Sequence, residues 1–204
     1  MSTLVFALIA YLIGSISFAV IVSRAFGLPD PRSYGSGNPG ATNVLRTGRK
    51  AAAVLALLGD TIKGWLAVFV AQHFGEPEML DITLAATALA VMIGHMYPLF
   101  FRFQGGKGVS TMLGILVALN YYLAAGAFAT WLIIAFFFRI SSLAALISAL
   151  FVPFFSFLLY GLNPIMMAVT ANSLLIIWRH KSNIRNLLAG KESRIGGRNS
   201  GSSS

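Results

Sequence analysis

Three short polar segments of this chain are dense in groups that hold anions. The first is Gly35-Ser36-Gly37-Asn38-Pro39-Gly40-Ala41-Thr42-Asn43-Val44-Leu45-Arg46. Its glycines let backbone N–H groups approach a ligand closely. Ser36, Asn38, Thr42 and Asn43 add neutral side-chain donors, and Arg46 adds a planar fork suited to phosphate. No acidic residue stands between positions 31 and 59. The plainer reading is an ordinary loop around an Asn38-Pro39-Gly40 turn. The second segment runs from Gly94-His95-Met96-Tyr97-Pro98 to Gly105-Gly106-Lys107-Gly108-Val109. Here a glycine loop with a central lysine opens an apolar helix, whose N-terminal amides and dipole favour phosphate. It is not a Walker A loop, which requires glycine where Phe101 stands and Ser or Thr where Gly108 stands. A hinge with a snorkelling lysine is the plainer alternative. The third segment, Arg179 to Glu192, carries His180 and Asn183 at i, i+3, on one face if helical. Basic stretches beside a membrane also hold lipid headgroups and set topology without further function.

Together these segments offer lysine, arginine, imidazoles and amides with almost no carboxylate. That set suits a substrate with two phosphate groups and does not suit acid–base work by paired carboxylates. There is no cysteine, so thiol catalysis and Cys-ligated metals are excluded. The three histidines are His73, His95 and His180, with His73 expected near the opposite membrane face, and no Asp/Glu cluster could hold Mg²⁺ or Ca²⁺. Neither a metal, another cofactor nor a nucleic-acid partner is expected. A His-x₄-Asp acyltransfer dyad is missing as well. The fifth residue after His95 is Phe100, and after His180 it is Arg185; His73 has Glu78 at that spacing, but on the acidic opposite side.

The elements that must position these segments are membrane helices. Of 204 residues, 57% are hydrophobic and 10% charged, with a mean hydropathy of +0.78. Soluble domains carry about 25% charged residues. Apolar runs fall near 3–23, 51–73, 80–100, 109–126, 123–138, 142–161 and 164–178, and the overlap between the fourth and fifth puts a turn at Asn120-Tyr121-Tyr122. The first run is expected to be a span and not a cleaved leader, since no basic residue precedes it and no clear small-x-small site comes before Arg24. The basic residues follow runs one, three, five and seven, whereas the connection near 74–81 holds Glu76, Glu78 and Asp81 and no Lys or Arg. An odd number of spans puts every basic loop on one side, and the positive-inside rule makes that side the cytoplasm. The expectation is an all-α protein of seven transmembrane helices, N-terminus periplasmic and C-terminus cytoplasmic. Asp60 and Lys63, i, i+3 within the second run, are expected to be a structural ion pair, because each ion buried alone costs several kcal/mol. Residues 1–195 read as one transmembrane domain and 196–204, rich in Ser and Gly, as a flexible tail or a cloning remnant.

In this order and spacing the segments resemble the motifs of the bacterial membrane acylphosphate:glycerol-3-phosphate acyltransferases, the PlsY family. The match takes in Ser36 to Asn43 with Arg46, Gly94-His95 to Gly108-Val109, Arg179-His180 with Asn183, Gly190 and Glu192, and Asp60-x-x-Lys63-Gly64. The resemblance implies a multi-pass enzyme of the bacterial inner membrane with a cytoplasmic site. It would move a fatty acyl group from acyl phosphate to the sn-1 hydroxyl of glycerol 3-phosphate, giving lysophosphatidic acid and phosphate. Lys107, His180, Asn183, Ser36 and Arg46 are the expected catalytic residues. Gly37, Asn38, Gly40, Thr42, Asn43, His95, Gly105, Gly106 and Gly108 are expected to bind substrate. Asp60, Lys63 and Glu192 are expected to be structural, Glu192 through a nearby arginine. The partners are the two substrates and membrane lipid, and a monomer would suffice. Which segment holds which phosphate stays open, as does the general base: His180, His95 or, preferred, the substrate's own phosphate. Two other classes remain: a transporter of organic phosphates, disfavoured by the wholly apolar stretch from Trp131 to Phe138, and a scaffold for anionic lipid, which would leave both glycine loops unexplained.

Overall fold

Runs of Leu, Ile, Val, Ala and Phe with no backbone-competing side chains become helices, because a helix satisfies its own N–H and C=O groups where water is absent. In a computed structural model describing residues 2–195, the described residues form α1 (Thr3–Gly14), α2 (Phe18–Ala25), α3 (Ala41–Leu45), α4 (Lys50–Phe74), α5 (Leu80–Met96), α6 (Val109–Leu119), α7 (Tyr121–Phe138), α8 (Ser141–Tyr160), α9 (Pro164–Arg179) and α10 (Lys181–Leu188), and no strand. The Ser/Gly-rich segment 196–204 lies outside the described residues.

Five helical stretches are long and apolar enough to cross a membrane: Thr3–Ala25, Lys50–Phe74, Pro77–Phe101, Tyr121–Phe138 and Ser141–Tyr160. α6 and α9 are apolar but shorter. Two breaks refine the expected spans. The first run is interrupted between α1 and α2, where the Ser15 hydroxyl folds back on the Tyr11 carbonyl (2.9 Å) and accepts the Leu99 N–H (3.2 Å). This frees the Ile16 carbonyl, which the Lys63 ammonium reaches at 2.6 Å. Irregular backbone at this depth is tolerated where it is buried in protein. The turn expected over Asn120-Tyr121-Tyr122 narrows to Asn120, whose side chain caps α7 by accepting the Tyr122 and Leu123 N–H groups at 2.9 and 3.2 Å. The two tyrosines are exposed on the first turn of α7.

Small residues bring the helices together. A Cβ at Gly14 would collide with the Val91 carbonyl, and one at Gly94 with the Tyr11 carbonyl, so α1 and α5 touch backbone to backbone. Gly64 against the Thr111 carbonyl and Gly114 against the Thr61 carbonyl do the same for α4 and α6. Such close approach replaces the hydrophobic driving force that lipid removes. Val91, Met92, Met96, Ile115 and Val169 are all fully buried in one cluster that joins α5, α6 and α9. The polar segments hang from one end of this bundle, at the N-termini of α4 and α6 and at the C-terminus of α9.

Candidate active site

The three segments close over one cavity of about 230 Å³. Its polar end is lined by Ser36, Asn38, Gly40, Thr42, Asn43 and Arg46 from the first segment, by Lys107 and Gly108 from the second, and by His180, Asn183 and Glu192 from the third. Asp60 and His95 form part of its wall. From there it runs between α6, α7 and α8 past Met112, Leu116, Ala127, Trp131, Ala149 and Val152. A cationic, amide-rich mouth thus continues into an apolar slot.

The first segment is organised by Asn43. Its amide donates to the Pro31 and Tyr34 carbonyls at 2.7 and 3.1 Å, while its Oδ1 accepts the Ser36 N–H at 3.1 Å. Asn43, expected among the substrate ligands, lines the cavity, and its amide hydrogens are engaged inside the loop, where they shape the turn that presents Ser36. Arg32 ties this segment to the second, pairing with Asp30 and reaching the Phe101 carbonyl at 3.3 Å. Arg46 is exposed and donates to the Ser193 hydroxyl at 2.7 Å.

In the second segment Gly108 takes φ +90°, a left-handed conformation that glycine adopts without strain, and serves as the N-cap of α6. A Cβ there would also meet the sulfur of Met92. Gly105 and Gly106 are buried behind the loop; Gly37 lies in the first loop; none of the three is on the cavity wall. A Cβ at Gly106 would strike the His95 ring, so the loop seats directly on that imidazole. The Lys107 ammonium donates to Asn183 Oδ1 at 2.5 Å. Burial pushes its pKa below the ordinary lysine value, Arg179 and Arg46 push the same way, and the Glu192 carboxylate works against them.

The third segment supplies a buried histidine. His180 sits where α9 passes into α10, and its Nδ1 donates to the Ile176 carbonyl at 2.8 Å. That bond fixes the tautomer and leaves Nε2 as an acceptor. Burial, reinforced by the Lys107 and Arg179 charges, lowers its pKa to about 4, so the ring is neutral at pH 7. Asn183 donates to Glu192 Oε1 at 2.7 Å, and Ser142 donates to the same oxygen at 2.8 Å. Glu192 therefore finds a serine and an amide where an arginine was expected; among the described residues no arginine stands within ion-pair distance of it.

Asp60 and Lys63 form the expected pair at 2.8 Å, with side chains 3% and 2% exposed. Sequence reading missed two things about this region. His95 Nδ1 lies 3.7 Å from the same Asp60 oxygen, and two carboxylates, Asp60 and Glu192, stand on the cavity wall. Arg179, matched in the third segment but given no role of its own, donates to the Gly105 and Gly106 carbonyls at 2.8 and 3.2 Å. The signal was present: a glycine loop whose carbonyls need donors, and an arginine directly before the site histidine.

A mouth with two cations, a neutral acceptor imidazole and free helix N-terminal amides, leading into an apolar slot, fits a molecule with phosphate at one end and hydrocarbon at the other. Comparison with known proteins agrees. A family model described as glycerol-3-phosphate acyltransferase matches residues 4–190. The chain is 62% identical over 198 residues to the glycerol-3-phosphate acyltransferase of Burkholderia vietnamiensis (strain G4 / LMG 22486), covering 96% of this chain and 92% of that one. It is 62% identical over 197 residues to the glycerol-3-phosphate acyltransferase of Cupriavidus taiwanensis, covering 96% and 98%. Among solved structures, it resembles the integral membrane glycerol 3-phosphate acyltransferase PlsY (YgiH) in its glycerol 3-phosphate form, with TM-score 0.89, 39% identity and 96% of each chain covered. It also resembles the lysophosphatidic acid form of PlsY, with TM-score 0.87 and 38% identity over the same shares.

Proposed function

Because the chain belongs to the glycerol-3-phosphate acyltransferase family, we propose that its cavity is the site where an acyl group passes from acyl phosphate to glycerol 3-phosphate. The chain is an integral membrane acyltransferase that uses glycerol 3-phosphate and forms lysophosphatidic acid. The observation that carries the donor and site assignments is the union of the cationic mouth and the apolar slot in one cavity. An organic-phosphate transporter and a lipid scaffold give way to the enzyme.

Acyl phosphate is a mixed anhydride, already activated, so the protein's task is to hold two anions together and stabilise the leaving phosphate. Lys107 and the α6 amides cradle one phosphate. Ser36, Arg46, Asn183 and His180 hold the other substrate, and the acyl chain lies along Met112, Leu116 and Ala149. The sn-1 oxygen bonds to the acyl carbon, the bond from that carbon to the phosphate oxygen breaks, and the hydroxyl proton goes to a phosphate. The relative basicities support that choice of base. The His180 ring, with a pKa of about 4, is about 100-fold less basic than a phosphate whose second pKa is about 6. Supplied with glycerol 3-phosphate, the purified protein should form lysophosphatidic acid from acyl phosphate and not from acyl-CoA. Equal turnover of acyl-CoA would overturn the donor assignment.

The enzyme crosses the bacterial inner membrane seven times, α6 and α9 adding two short spans to the five long ones. Its N-terminus is periplasmic and its site cytoplasmic, which the one-sided distribution of basic loops supports. It works as a monomer and without metal. The chain has no native cysteine, so single cysteines report cleanly. In intact cells an impermeant thiol reagent should label Glu78→Cys and leave Arg49→Cys untouched. The reverse pattern would overturn this topology.

A further inference from the structure

Arg179 closes α9 beside His180, yet it is not on the cavity wall. Its guanidinium is fixed on the far side of the glycine loop by three contacts. One N–H donates to the Gly105 carbonyl at 2.8 Å, a second to the Gly106 carbonyl at 3.2 Å, and the guanidinium carbon sits 5.5 Å from the centre of the Tyr97 ring. In the same peptide as the Gly105 carbonyl, the Gly106 N–H donates to the His95 carbonyl at 3.2 Å. The N–H groups of Lys107 and Gly108 take no protein acceptor among the described residues, and both residues face the cavity. The Gly105 carbonyl shares its peptide plane with the Gly106 N–H, and the Gly106 carbonyl shares its plane with the Lys107 N–H, so holding the second carbonyl on the Arg179 side leaves the Lys107 N–H facing the other way.

We propose that Arg179 is a positioning residue of the acyl-transfer site. It holds the peptide planes that begin at the Gly105 and Gly106 carbonyls so that the Lys107 N–H, and the Lys107 ammonium beyond it, point at the phosphate. This rests on the reading of the Gly105–Gly108 loop as a phosphate cradle. The physical reason is electrostatic. A carbonyl swung toward the mouth would place partial negative charge against a phosphate, and two buried carbonyls without donors would each bear a desolvation cost. A planar fork spans two neighbouring carbonyls at once, and stacking on Tyr97 fixes its plane; a lysine ammonium is a single point charge and does neither.

The test measures kcat of Arg179→Gln and Arg179→Lys, each alone and combined with Lys107→Ala. In the otherwise native enzyme Arg179→Gln should lower kcat about 10- to 100-fold, the range for losing a charge-assisted contact, and Arg179→Lys should restore only part. In the Lys107→Ala background, where the ammonium is gone and only the backbone amide is left to be positioned, Arg179→Gln should cost clearly less than in the native enzyme. The same factor in both backgrounds would mean a general contribution to folding and would overturn the proposal. Full activity of Arg179→Lys would overturn it too, since charge alone would suffice. A fully active Lys107→Ala would instead defeat the phosphate-cradle reading beneath it. Tyr97 provides a variant that leaves the arginine in place. Tyr97→Phe keeps the ring face and should keep activity, whereas Tyr97→Ala should lose it several-fold; equal activity in the two would count against the clamp.

Discussion

Replacing Lys107 by alanine should lower kcat about 100- to 1,000-fold, the loss seen when one preorganised donor to developing charge is removed. The lysine lies between two glycines, so no neighbouring side chain shields a ligand from it. Its ammonium is held by Asn183 Oδ1 at 2.5 Å, and that amide is held in turn by Glu192 at 2.7 Å. This chain fixes the cation before substrate arrives, at the N-terminus of a helix whose amides add to the same field. Phosphate leaving an acyl carbon gains charge as the bond breaks, so the cation acts more on the transition state than on the bound substrates. The effect should therefore appear in kcat, with a much smaller change in KM for glycerol 3-phosphate. Lys107→Arg should recover part of the rate, because a guanidinium is larger and directs its donors differently. A lysine that merely snorkels would be replaced fully by arginine and barely noticed as alanine. Steady-state kinetics of the two variants in detergent distinguishes these outcomes.

The second large effect concerns stability. Lys63→Met should destabilise the bundle by about 3–5 kcal/mol, because it leaves the Asp60 carboxylate buried without its cation. Lys63 also donates to the Ile16 carbonyl exposed by the break between α1 and α2, so the same change strands a backbone acceptor. Against a total stability of about 5–15 kcal/mol, the loss removes a large share. The double variant Asp60→Asn/Lys63→Met should be less damaged than Lys63→Met alone, since no uncompensated charge remains. Thermal unfolding of the purified variants checks the order. A Lys63→Met protein as stable as the native one would show that Asp60 is not paired there as described.

The polar segments were legible because they interrupt a chain that is 57% hydrophobic. In such a background a run like Gly35–Arg46 or Gly105–Gly108 stands out, and the one-sided arginines and lysines group the runs at one membrane face. The Asp60–Lys63 pair was legible for a similar reason: i, i+3 spacing on a helix brings the two groups within reach whatever surrounds them. What sequence did not show depends on how helices are rotated against one another. The Arg179 clamp joins residues 73 and 74 positions apart, and the Ser142–Glu192 bond spans 50. Periodicity fixes which residues share a face of one helix and says nothing about which face meets which. The break at Ser15–Ser17 was hidden because the donor that satisfies its freed Ile16 carbonyl, the Lys63 ammonium, comes from another helix. The internal bonds of Asn43 were hidden for the converse reason: an asparagine in a donor-rich loop looks the same in sequence whether or not its amide is engaged by its own backbone.

Phosphate release is the most direct measure of the central claim, that this cavity joins an acyl phosphate to glycerol 3-phosphate. Purified protein in detergent is given acyl phosphate, and inorganic phosphate and lysophosphatidic acid are followed together, with and without glycerol 3-phosphate. Release should be negligible without the acceptor, and with it one phosphate should appear for each lysophosphatidic acid formed. Phosphate released at the same rate in both cases, or lysophosphatidic acid formed without matching phosphate, would contradict that claim.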